Sequence, residues 1–156
     1  MAELIRQQDA DVEVDFCGFA LQDVDDTLVP LEFPEGREPG GAFLTAHEAR
    51  LDIESAGHTH TATLAAEVWD TEPPVADDRG DWEERGEAVL HCPSGELALW
   101  GVTSGPRETY LQLPEKDVTW QVRVYCEGRQ EVQRLAQEGV PEGIEHYLVQ
   151  FWSASK

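Results

Sequence analysis

Apolar and polar residues alternate with a period of two along most of the chain, which is the signature of strands with one face in a core. Val12, Val14 and Phe16 alternate with Glu13 and Asp15, and beyond them the apolar set changes parity to Cys17, Phe19 and Leu21. A one-residue change of parity within a strand predicts a β-bulge near residues 16–18. The polar segment 1–11, with its short Leu4-Ile5 patch, reads as a frayed end or an edge segment. Ala49, Leu51 and Ile53 alternate with Arg50, Asp52 and Glu54, and the turn Ser55-Ala56-Gly57 follows. Next, His58, His60, Ala62, Leu64, Ala66 and Val68 share one face, with Thr59, Thr61 and Thr63 on the other. Alternating threonines favour a pleated strand over a helix, and these two segments predict a hairpin.

Further strands are predicted around Ala88, Leu90 and Cys92, from Leu97 to near Val102, and over residues 110–113. The clearest carries Val118, Trp120, Val122, Val124 and Cys126 on its core face. Residues 131–138 predict one short helix, with Val132 and Leu135 at i, i+3 spacing and Gly139 and Pro141 closing it. A last strand places Tyr147, Val149 and Phe151 opposite His146, Leu148 and Gln150. Two segments break the alternation. Residues 23–41 combine Asp23, Asp25, Asp26 and Glu32 with Pro34, Gly36, Pro39, Gly40 and Gly41, which predicts a long loop. Residues 70–84 combine Pro73-Pro74 with Asp70, Glu72, Asp77, Asp78, Asp81, Glu83 and Glu84 around Trp82. About eight short strands at regular spacing, joined by Gly/Pro turns, predict an all-β antiparallel β-sandwich with one short helix late in the chain. Residues 1–156 are read as one such domain, large enough to bury a core without metal or disulfide.

Charge then narrows the function. Acids outnumber bases 32 to 11, for a formal net charge of -21. A field of that sign repels phosphate backbones, so direct nucleic-acid binding is not expected, whereas association with a basic protein is accelerated. Acidity that only keeps the chain soluble, or that reflects the composition of its host, is the plainer alternative. Cys17, Cys92 and Cys126 are an odd number without CxxC spacing, which reads as buried thiols in a reducing cytoplasm. No apolar run approaches the roughly 20 residues of a membrane span, so no membrane partner is expected.

No motif names a chemistry. His58 and His60 would share one side of a strand and suit zinc only if further ligands, such as His47, His91 or Cys92, came from elsewhere. Asp23, Asp25 and Asp26 resemble the start of a calcium loop but lack its later glycine and closing glutamate. Acids such as Glu13, Asp15, Asp52 and Glu54 stand where a wet strand face puts them, and Ser94 lacks the flanks of a nucleophile elbow. The expectation is a binding protein, not an enzyme, with no cofactor and no metal. Aromatic residues anchor interfaces while surrounding charges steer encounter. The residues expected to face a partner are therefore Asp70, Glu72, Asp77, Asp78, Asp81, Trp82, Glu83 and Glu84, together with Asp23, Asp25 and Asp26. The alternative for Trp82 is a first core position of the next strand.

The chain runs through Phe16-Cys17-Gly18-Phe19-Ala20-Leu21-Gln22-Asp23, a glycine-rich loop, and a hairpin through Leu51-Asp52-Ile53 and Leu64-Ala65-Ala66. That order of features carries a resemblance to the competence J family, whose known member inhibits a DNA-entry nuclease. The resemblance continues through Gly95-Glu96-Leu97, a Leu113-Pro114 step into Trp120-Gln121-Val122, and Glu145-His146-Tyr147-Leu148-Val149. This chain adds segments of its own at 34–41 and 130–141. The resemblance implies a small β-sandwich that neutralises a nuclease or toxin, and the charge agrees, since an acidic protein can occupy a basic DNA-holding cleft in place of phosphate. The reading is thus an inhibitor or immunity protein for a basic partner. A carbohydrate-, small-ligand- or metal-binding sandwich using Trp69, Trp100 and Trp152, with or without catalysis, is the alternative, and a domain with only an architectural role is a third.

Overall fold

Alternation along the chain becomes two five-stranded sheets packed face to face. The computed structural model describes residues 2–37, 41–103, 105–135, 138–139 and 142–153. The strands are β1 (Leu4–Val14), β2 (Gly18–Asp23), β3 (Leu44–His47), β4 (Arg50–Glu54), β5 (His60–Trp69), β6 (Glu84–Cys92), β7 (Glu96–Gly101), β8 (Gly105–Gln112), β9 (Val118–Glu127) and β10 (Glu142–Ser153). One helix, α1 (Arg129–Leu135), precedes β10. The first sheet has the order β1-β5-β10-β9-β6 and the second β3-β4-β2-β7-β8. Pairing is antiparallel except between β5 and β10, which run parallel with Tyr147 opposite Leu64 and Val149 opposite Ala66.

The inward-facing residues of both sheets form one core. Val12, Leu64, Val122, Val124, Val149 and Phe151 meet Phe19, Leu21, Leu51, Ile53, Leu97 and Leu99 across it. Phe19 and Tyr147 lock the layers edge to face, with ring centroids 5.0 Å apart. Each fully buried side chain of this size contributes about 1.5–3 kcal/mol of transfer free energy. The sheet edges are stitched by side chains. Gln8 on β1 donates to the Tyr110 carbonyl at 3.2 Å and accepts the Gln112 amide at 2.7 Å, and Arg6 donates to the Gln112 carbonyl at 3.1 Å. These bonds occupy edge groups of β8 that would otherwise be open to another strand.

Three local expectations are corrected. The parity change after Val14 is not a bulge within one strand but a tight turn at Phe16 and Cys17, both at positive φ, that carries the chain from the first sheet to the second. Phe16 is therefore exposed, not a core residue. The predicted hairpin is instead a crossing between layers, because β4 pairs with β2 and β3 whereas β5 pairs with β1 and β10. The helix begins at Arg129, not residue 131, because Glu83 on a distant segment caps it. Its carboxylate accepts the amides of Gly128, Arg129 and Gln130 at 2.7, 3.0 and 3.0 Å. Pro141, read as closing the helix, and Pro39 and Gly40 of the long loop lie outside the described residues.

Candidate partner-binding surface

The acidic segment 70–83 lies as a strap across the outer face of the first sheet, and arginines hold it there. Arg123 on β9 donates to the Pro73 carbonyl at 3.2 Å and to Glu72 at 2.8 Å, with its guanidinium 4.9 Å from the Trp152 ring. Arg79 on the strap binds Glu67 on β5 with both guanidinium arms, at 3.1 and 2.6 Å. Glu67 also accepts from the Trp69 indole and the Gln150 amide, each at 3.1 Å. Burial pushes the Glu67 carboxyl up, but the hydrogen bonds from Arg79, Gln150 and Trp69 outweigh it and hold the group below its ordinary value. The Tyr125 hydroxyl accepts the Ala76 amide at 3.0 Å. The Trp82 indole donates to the Ala76 carbonyl at 2.7 Å and packs against Tyr125 with centroids 5.2 Å apart. Ala76, Tyr125 and Leu148 with Ala65 and Trp82 thus make a second, smaller apolar cluster outside the main core.

Folding has therefore already engaged many of the carboxylates expected to face a partner. Glu72 pairs with Arg123, Asp77 with Arg85 at 2.8 Å, and Glu83 caps α1. Asp70 accepts the Glu3 amide at 2.7 Å. Asp78, Asp81 and Glu84 are exposed, and Trp82 is half-buried on the sheet, neither a core residue of β6 nor a projecting anchor. Asp23 is buried, accepting the amides of Asp25 and Ser94 at 2.8 and 2.9 Å. Asp25 caps the single-turn 3-10 helix Asp26–Leu28, while Asp26 is exposed on it. The long loop is also clamped: fully buried Arg50 binds Asp52 at 2.7 and 2.6 Å and donates to the Leu31 and Glu35 carbonyls at 2.8 and 2.5 Å. Arg37, Arg50, Arg79, Arg123 and Arg129 are all turned to acceptors within the chain.

An open cleft of about 660 Å³ runs beside the strap. Its walls are Asp9 and Asp11 of β1 on one side and Arg79 and Trp82 of the strap on the other. Ala65 and Leu148 line its floor, and Thr63, hydrogen-bonded to His146, closes one end. Register explains this arrangement: Asp9 lies beside Ala65, which lies beside Leu148, and Asp11 lies beside Thr63, which lies beside His146. Ala65 is small, so the floor sinks between the two walls. Asp9 and Asp11 have no hydrogen-bond or ion-pair partner among the described residues.

A polar cluster that periodicity alone did not single out sits between the layers near α1. Glu145, fully buried, accepts from Ser55 Oγ at 2.6 Å, Tyr147 OH at 2.6 Å and the Ala56 amide at 3.0 Å. Ser55 Oγ lies 2.8 Å from His60 Nε2. Because the Ser55 proton goes to Glu145, the serine oxygen is left to accept from the imidazole Nε2. Burial lowers the His60 pKa and only partly yields to the opposing pull of Glu145. The signal was parity: Glu145 shares the core-facing set of β10, and His60 that of β5. His58 and His60 do not share a face, since His58 precedes the strand and stacks on Phe16 at 5.0 Å. His60 is buried and His58 is exposed, so the two are not placed to ligate one ion. Among the described residues no group of three or more His, Cys, Asp or Glu is placed to hold a metal ion. Cys92 and Cys126 are buried and Cys17 half-buried, and burial, with Asp23 beside it, pushes the Cys92 thiol up to about 12.

Fold and surface together define a class: a mostly antiparallel two-sheet acidic sandwich with its outer face strapped by a loop. Two solved structures share its fold. ComJ, inhibitor of the DNA degrading activity of NucA, from Bacillus subtilis, superposes with a TM-score of 0.63 at 10% identity over 99% of each chain. Crocagin biosynthetic gene J gives a TM-score of 0.60 at 12% identity over 96% of this chain and 99% of that one. At these identities the likeness is one of fold. No protein-family model and no curated protein matches the sequence.

Proposed function

We propose that this protein acts by binding rather than catalysis, as an inhibitor or immunity protein for a basic partner, and that the partner is a nuclease or a toxin of similar charge. The observation that carries the reading is the end-to-end likeness to ComJ, a nuclease inhibitor. The formal charge of -21 supports it, because a DNA-degrading enzyme needs cationic groups to hold phosphate, and an acidic surface competes for them.

The test is capture from lysate of the source cells across a salt series, followed by a DNA-degradation assay with the captured protein. A basic nuclease or toxin is expected, with affinity falling about tenfold or more from low to high salt as surface charge is screened. Capture of no such partner, or of one indifferent to salt, would sink the proposal.

A further inference from the structure

We propose that the cleft between β1 and the strap is a receptor for an arginine-bearing loop of the partner. This deepens the inhibitor reading and rests on it. The case begins with accounting for the carboxylates. Glu72, Asp77 and Glu83 already satisfy groups of this chain, whereas Asp9 and Asp11 line an open cleft without a partner among the described residues. Asp9 on β1 and Leu148 on β10 stand two strand spacings apart, about 10 Å, with Ala65 between them. The floor between them is the apolar pair Ala65 and Leu148.

That combination selects a chemistry. An apolar floor suits a methylene stem, an aromatic wall suits a flat cation, and two unpaired carboxylates suit a forked donor. Guanidinium meets all three conditions: it is planar, weakly hydrated and donates in pairs to carboxylates. A phosphate or carboxylate ligand would meet Asp9 and Asp11 with like charge, and the hydroxyls of a neutral sugar donate to carboxylates but leave their charge uncompensated. Arg79 does not compete for the acids, because Glu67 holds both of its arms. The volume of about 660 Å³ falls within the usual range for binding pockets and exceeds one side chain, so the arginine arrives on a loop.

The experiment is an NMR titration of the isotope-labelled protein with N-acetyl-arginine amide, using N-acetyl-citrulline amide as the uncharged isostere. Shifts are expected at the amides of Thr63, Ala65, His146 and Leu148 and at the Trp82 indole N–H, with citrulline inert. The exposed pair Asp9→Asn/Asp11→Asn weakens binding by about fivefold or more, while Glu32→Gln/Glu115→Gln, which removes the same charge elsewhere, changes it by less than about twofold. Ala65→Leu, which fills the floor without changing charge, abolishes the shifts. The assignment is overturned if shifts are absent, are scattered over the acidic surface, or respond equally to both double variants. The two readings fail separately. A partner captured equally well by Asp9→Asn/Asp11→Asn removes the cleft and leaves the inhibitor. Arginine shifts that depend on Asp9 and Asp11, in a protein that captures no basic partner, remove the inhibitor and leave the cleft.

Discussion

Replacing Arg79 by Ala tests whether the strap is held by the ion pair described above. Glu67 is nearly inaccessible, with its side chain 3% exposed, while Arg79 is 45% exposed. Breaking a buried pair by removing one partner costs about 3–5 kcal/mol, because the remaining charge is stranded. Water reaches Glu67 more easily once a half-exposed side chain has gone, and Trp69 and Gln150 still donate to it, so about 2–3 kcal/mol is expected at neutral pH. Glu67→Gln strands no charge and should cost about 1 kcal/mol, with the double variant near the same value. A double-mutant cycle in urea should then give a coupling of about 2 kcal/mol. The pH dependence carries the sign. In the parent, Glu67 sits below its ordinary value, so its contribution is present above the unfolded pKa and is lost as pH falls through the lower folded value. Without Arg79, burial dominates and the folded value rises, so the deficit of Arg79→Ala should shrink as pH is lowered toward 5. A deficit that is flat with pH and additive with Glu67→Gln would refute the account of the strap.

Three other features of the fold give independent checks. At Gly128, with φ +80°, an added Cβ would collide with the Ile144 carbonyl oxygen, whereas at Gly105, φ +72°, it would meet nothing within 4 Å. Gly128→Ala should therefore cost more than about 2 kcal/mol and Gly105→Ala about 1 in denaturant titrations, and equal costs would contradict the close approach. Phe16 and Cys17 hold φ of 51° and 66°, a turn geometry that suits Asn-Gly. Phe16→Asn/Cys17→Gly should raise stability by about 1 kcal/mol after loss of the His58 ring contact, and a lower melting temperature would contradict it. His91 lies between Glu48 and Asp117, each at 2.8 Å, whose hydrogen bonds raise its pKa, that of Glu48 most. Its contribution is fully present below the unfolded value of about 6.5 and is lost as pH rises through the higher folded value. His91→Asn should thus cost up to about 1 kcal/mol at pH 6 and progressively less at higher pH.

Much of the architecture was legible because alternation reports directly on burial. Val118 to Cys126 on β9, Tyr147 to Phe151 on β10 and Ala62 to Val68 on β5 face the core as their parity predicts. Pairing was less legible, since two adjacent alternating segments look alike whether they form a hairpin or cross between layers. That is why β4 and β5 were joined as a hairpin and are not. The outer face of the first sheet escaped the reading for another reason. Arg123, Tyr125 and Glu67 have solvent-facing parity yet are buried, because a strap far away in sequence covers them. Local composition marked residues 70–84 as acidic and aromatic but could not tell which carboxylates the fold would use. Asp9 and Asp11 on β1 carried only the weak signal of acids on an edge strand.

The central claim, that this acidic sandwich neutralises a basic DNA-degrading partner, is tested most directly by measuring DNA cleavage by the captured nuclease against added protein at low and high salt. The account predicts complete inhibition near one equivalent at low salt, progressive release as salt rises, and weaker inhibition by Asp9→Asn/Asp11→Asn. Undiminished cleavage in the presence of excess protein at low salt would contradict it.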